Sequence, residues 1–98
     1  MTKSFAERLT EDRRLVLLRI LGDLPGYRSN SSVLRKLMDG FGHAVARDYI
    51  ATQLQWLAEQ ALVALTDLDG VLVVELTPYG QDVASGLSHV PGVARPGA

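Results

Sequence analysis

Apolar positions recur at helical spacing in "RDYIATQLQWLAEQALV", residues 47–63, where Ile50, Leu54, Leu57, Ala58 and Ala61 form a single stripe when each residue turns about 100°. The spacing predicts an amphipathic helix with that stripe on a core. Asp48, Thr52, Gln55 and Glu59 then point outward, with Tyr49 and Trp56 beside them. The period changes immediately afterwards. "LVALTDLDGVLVVELT" predicts two strands, residues 62–66 and 71–77, joined at Asp69-Gly70, because Asp-Gly between β-rich runs is a strong short-range hairpin signal. A helix running straight into a hairpin is the tail of a winged helix-turn-helix.

Upstream, Thr10 precedes "EDRRLVLLRILGDLPG". Two acids in the first turn and a Gly/Pro stop predict a first helix over residues 11–21, with an extension back through Phe5 and Leu9. Its apolar residues occupy more than one face. One face meets the core, and the surplus predicts a homodimer interface built from Val16, Leu17 and Ile20 together with Val90 and Val93 of the tail. In "YRSNSSVLRKLMDGFGH" the hydroxyl and amide side chains suit an N-cap, and Val33, Leu34, Leu37 and Met38 follow at core spacing. This second helix ends near Gly40 or Gly42. The tight link "GFGHAVA" then gives a helix-turn-helix. Thr77-Pro78 starts a short last helix, reaching Ala84 or Leu87. The expected fold is α+β, with a winged-helix domain over residues 1–87 and an extended C-terminal tail over 88–98. That tail, without any period, is either mobile or docked in extended form on another surface.

Composition narrows the chemistry. The 98 residues contain no cysteine, which removes disulfides, thiolate catalysis and cysteine metal sites. The opening "MTKSFAERLTEDRR" is too charged for a signal peptide, and no apolar run approaches the roughly 20 residues of a membrane span. A cytoplasmic protein without a membrane partner is expected. Net charge is −1, but residues 1–47 hold nine Lys/Arg against five Asp/Glu, and residues 48–98 hold one against six. Such asymmetry marks a basic face for a polyanion or scatters over a solvated surface. The two histidines, His43 and His89, are distant in sequence, and no phosphate loop or nucleophile motif is present, so neither an enzyme nor a cofactor or metal is expected. "DLDGVLVVE" is no calcium loop, because Leu65 and Leu76 would occupy the first and twelfth positions, where carboxylates are required.

Gln53, Leu54, Ala61, Leu62 and Val63 stand where the third helix and wing of arsenic-repressor-like winged-helix regulators carry a polar residue, Leu, a small residue and "LV". This pattern resembles that group. Over almost its full length, through "TEDRRLVLLRIL", "LPGYRSN", "LAEQALVAL", "LTPYGQDVA" and "VPGVARP", the chain is also similar to small winged-helix proteins of Mu-like prophages. The Mu-like resemblance implies a phage-derived cytoplasmic protein with a regulatory role, and the arsenic-repressor-like pattern implies that Gln53 faces DNA. It does not extend to metal sensing, which in the arsenic-repressor group uses cysteine or histidine clusters.

A third helix in the major groove would offer Arg47, Tyr49, Thr52 and Gln53 to base edges, since Arg pairs bidentately with guanine and Gln with adenine. Arg28, Arg35, Lys36 and His43 would meet phosphates. Against this, the wing tip "TDLDGV" carries Asp67 and Asp69 and no cation. The leading expectation is a dimeric transcriptional regulator acting on double-stranded DNA. The alternative is a winged-helix module that docks on a phage protein, in assembly or an accessory role, without binding DNA. Trp56 is expected to pack beneath the wing or against the first helix.

Overall fold

In the computed structural model, which describes residues 2–97, the elements follow the order α1 (Phe5–Asp23), a 3₁₀ turn (Pro25–Tyr27), β1 (Arg28–Asn30), α2 (Ser31–Gly40), α3 (Arg47–Glu59), β2 (Val63–Leu68), β3 (Val71–Leu76) and α4 (Pro78–Ser85). The fold is the expected α+β winged helix-turn-helix, with one strand more than the sequence pattern predicts.

Helix α1 begins well before Thr10. Ser4 caps it: the Ser4 Oγ accepts from the Glu7 amide at 3.1 Å, and the Glu7 carboxylate accepts from the Ser4 amide at 3.3 Å. This reciprocal capping box satisfies two amides that a helix start leaves open. The helix stops at Leu24, whose extended backbone precedes Pro25 as the proline ring requires. Asn30 caps α2 through Val33 N–H at 2.9 Å, and Thr77 caps α4 through Gly80 N–H at 2.9 Å. Behind that cap α4 comes so close to β2 that a Cβ at Gly80 would strike the Leu62 carbonyl.

The sheet has strand order β1-β3-β2, antiparallel throughout. β2 and β3 pair from Val63↔Leu76 to Leu68↔Val71, leaving a two-residue loop. Asp69 (φ 53°) and Gly70 (φ 84°) both sit in the left-handed region, which defines the type I′ turn that matches strand twist. The wing is thus the predicted hairpin, extended on β2 to Leu68. β1 pairs Arg28–Asn30 with Glu75–Val73. It escapes a sequence reading because three residues are too few to show alternation.

The core joins α1 (Leu15, Leu17, Leu18, Ile20, Leu21) to Leu34 and Met38 of α2, Ile50, Leu54 and Leu57 of α3, and Val74 and Leu76 of β3. Val90 and Val93, 6% and 2% exposed, belong to this same core. The expected dimer interface is therefore corrected for most of its residues. Leu17 and Ile20 are buried within the chain, and Val90 and Val93 are buried in the same core. Of the five, Val16 alone is partly exposed, and it too packs against that core. Residues 90–93 form a turn closed by Val93 N–H to the Val90 carbonyl at 3.1 Å, with Pro91 and Gly92 (φ 102°) at its centre, the residue preferences of a type II turn. Ala94 N–H then bonds the Glu11 carbonyl at 3.1 Å. The tail is docked on its own chain.

Candidate nucleic-acid interface

Helix α3 starts at Arg47 after Ala46, which supplies no side-chain cap, and carries Asp48 in its first turn. Its outer strip is Asp48, Thr52, Gln55 and Glu59, all exposed, with Arg47 exposed at the start. None of Arg47, Thr52 and Gln55 makes a side-chain hydrogen bond or ion pair among the described residues. They are the groups this helix can offer to a groove.

Gln53 is not among them. It is 7% exposed, and its Oε1 accepts from Arg14 Nε at 2.7 Å. The reason is positional: residue 53 lies three after Ile50 and four before Leu57, inside the buried stripe rather than opposite it. An amide in that place needs a partner, and Arg14 of α1 supplies it. Tyr49 is half-buried as well. Its ring lies under Arg13, the guanidinium carbon 5.3 Å from the ring centroid, and its hydroxyl is buried with no hydrogen-bond partner. Two of the four expected base contacts, Arg47 and Thr52, thus face outward, and Gln55 stands where Gln53 was expected.

The second arginine of "DRR" is the residue that the sequence pattern does not reveal. Arg14 lies over Trp56, its guanidinium carbon 3.8 Å from the ring centroid, while Nη1 donates to the Gly92 carbonyl at 3.0 Å. Trp56 therefore packs against the first helix, one of its two expected places, with the tail closing the other side. Burial lowers the Arg14 pKa, outweighing the opposing influence of Tyr49 and Glu11.

Of the expected phosphate contacts, Arg35 and Lys36 are exposed on α2 and, with the acid Asp39, border an open hollow of about 420 Å³ that reaches Ala44 and Val45 in the turn before α3. Arg28 is exposed on β1, directly across from Glu75 of β3, a cross-strand neighbour of opposite charge. His43 is half-buried, and its Nδ1 accepts from Arg13 Nε at 3.3 Å, so that nitrogen is committed within the chain. Asp67 has a local task, its carboxylate accepting from Gly70 N–H at 2.9 Å across the wing turn. Asp69 adopts the left-handed conformation that Asp and Asn tolerate best among residues with a Cβ. Turn chemistry accounts for both wing acids.

Among the described residues, no group of three or more His, Asp or Glu could hold a metal ion, and no helix is long and apolar enough to cross a membrane.

This architecture defines a winged helix-turn-helix protein. It is similar to the solved complex structure of hsRosR-S1, with a TM-score of 0.62 and 23% identity, over 78% of this chain and 67% of that one. No protein-family model matches the chain. In sequence it is 52% identical over 88 residues to the uncharacterized protein gp26 of Escherichia phage Mu, spanning 90% of this chain and 91% of the relative. An uncharacterized protein of Haemophilus influenzae is 43% identical over 75 residues, 76% of this chain and 72% of the relative. The chain belongs to the family of phage Mu gp26.

Proposed function

We propose that the protein is a DNA-binding regulator of transcription in a Mu-like phage or prophage, with α3 in the major groove of a duplex, as in arsenic-repressor-like regulators. The observation that carries this reading is the outer strip of α3. Arg47, Thr52 and Gln55 are exposed and unengaged among the described residues, a set able to donate to and accept from base edges, and the exposed Arg35 and Lys36 of α2 would supply phosphate contacts. The fold it shares with hsRosR-S1 and the kinship with a phage protein are consistent with it. No catalytic step or cofactor enters the proposal, and its setting is the cytoplasm, where the DNA is.

A protein-docking module is the second reading. The wing supports it: Leu68 is 58% exposed between Asp67 and Asp69, a tip suited to a basic, partly apolar protein surface and poorly suited to phosphates. Fluorescence anisotropy with labelled duplexes from the neighbourhood of the encoding gene separates the two. DNA binding predicts saturable association that unlabelled duplex competes away and that weakens steeply with salt. Absence of association at the lowest salt overturns it in favour of docking.

A further inference from the structure

Arg19 and Asp23 form a ridge on α1 with a hollow on either side. Toward α2, Val16, Ile20 and Phe41 line a hollow of about 300 Å³. Toward α4, Gly22, Tyr27, Leu76 and Gln81 line another of about 290 Å³, and Arg19 and Asp23 border both. A ridge of residues four apart with a groove beside it is the relief on which two helices interlock, each ridge in the other's groove.

Among the described residues, the charges on the ridge form no ion pair or side-chain hydrogen bond. Arg19 and Asp23 are exposed, and the ion pair found among the described residues is Lys3–Glu11, elsewhere on the surface. Asp23 is the last residue of α1, and the final turn contains no basic residue. An acid at that end faces the negative pole of the helix dipole, where a cation is favoured instead. Phe41, 67% exposed, stands at the lip of the first hollow.

A pattern of one cation and one anion on a single ridge is complementary to itself. About a two-fold axis, antiparallel ridges bring each cation to the other's anion, and the same patch serves on both sides. We infer that the protein pairs with a second copy through this face. The α1 ridges lie antiparallel, Arg19 of each subunit meets Asp23 of the other, and each Phe41 closes on the partner's hollow. It retains Val16 and Ile20 of the interface expected from the sequence, as lining of the hollow, whereas Leu17, Val90 and Val93 are spent inside the monomer. It stands apart from the DNA reading, since the ridge shares no residue with the outer strip of α3.

Charge exchange tests it. Sedimentation equilibrium of the full chain, from micromolar to roughly 100 µM, should give a dimer mass that depends on concentration. Arg19→Glu alone and Asp23→Arg alone each set like charges face to face twice across the axis, and each should weaken the dimer at least about tenfold. An equimolar mixture of the two variants should recover the dimer, because a wholly acidic ridge then meets a wholly basic one. Circular dichroism checks that both variants stay folded, as exposed helix positions allow. Phe41→Ala should weaken pairing without altering the charge rule. A wild-type monomer at the highest concentration overturns the inference. So do variants that dimerise as the wild type does, or a mixture that remains monomeric.

Discussion

Arg14 and Trp56 hold three parts of the chain at one point. The guanidinium over the indole, 3.8 Å from its centroid, also reaches the Gln53 amide of α3 and the Gly92 carbonyl of the tail. α1, α3 and residues 88–94 therefore share one side chain, and its removal is felt by all of them.

Arg14→Ala should lower stability by about 2–4 kcal/mol. The cation–π contact accounts for about 0.5–2, and stranding the buried Gln53 amide costs a further 1–3 or so. Arg14→Lys should recover only part of this, since an ammonium cannot stack and reach both acceptors as a planar fork does. Urea unfolding followed by circular dichroism checks both variants. A loss below half a kilocalorie for Arg14→Ala would mean that the cluster is ornamental.

Gly92→Ala tests the docking of the tail. A Cβ there would come 2.7 Å from the Trp56 ring, at a φ of 102° that L-residues avoid. The indole is stacked and has little room to yield, so the turn should lift away rather than the ring move. The expected signature is a red shift of Trp56 emission, a direct report because the chain has a single Trp. Faster proteolysis within residues 88–97 should accompany it, with a stability loss of about 1–3 kcal/mol from the strained φ and the released Val93. An unchanged emission spectrum would show that the tail does not depend on this contact.

Much of the fold could be read from the sequence where a pattern ran long enough to repeat. The Asp69-Gly70 hairpin, the Thr77-Pro78 helix start and the stripe of α3 as far as Ala58 are each local signals, and each corresponds to an observed element; Ala61, the last expected position of that stripe, lies beyond the helix, exposed and with φ 62°. The start of α1 had a signal too, in the Ser4-x-x-Glu7 spacing, but the acids after Thr10 offered a competing start. What stayed hidden depends on contacts across the chain. Arg14 and Gln53 are 39 positions apart, and no local period says that an arginine will reach across to a glutamine on another helix. Placing Gln53 outward followed a family pattern, whereas its spacing from Ile50 and Leu57 already put it on the inner side. Val90 and Val93 read as spare because a non-periodic tail gives no sign that it folds back onto α1. Of the candidate interface, the exposed cations of α2 were legible from charge and helical phase alone.

The wing acid Asp69 leads to a prediction that separates binding from stability. Asp69→Asn keeps a residue that accepts the left-handed conformation of the turn, so stability should change by less than about 0.5 kcal/mol. It removes a charge that would face phosphates. DNA affinity should rise roughly two- to threefold at low salt, the effect of one unit charge some 6–8 Å from another in water, and the gain should fade as salt increases. Affinity that is indifferent to this substitution would place the wing away from the duplex.

The outer strip of α3 carries the sharpest prediction, because its residues and their neighbours should fail in three separable ways. Gln55→Ala should relax base preference at one position of the site, at a cost of about 1–3 kcal/mol, since a bidentate amide contact distinguishes adenine from other bases. Arg35→Ala or Lys36→Ala should weaken every sequence alike and make log affinity against log salt shallower by about one unit, because each phosphate contact releases condensed counterions. Gln53→Ala should do neither directly: it leaves the Arg14 Nε–H without its acceptor and lowers stability, by about 1–3 kcal/mol, with affinity falling only as folded protein is lost. Anisotropy titrations with matched and single-mismatch duplexes, over roughly 50–200 mM salt where such contacts change affinity most, resolve the three patterns. If Gln53→Ala, and not Gln55→Ala, alters base preference while the protein remains fully folded, the helix must rotate or open on binding to bring its buried amide to the groove. The outer strip would then be a solvated face rather than the reading surface.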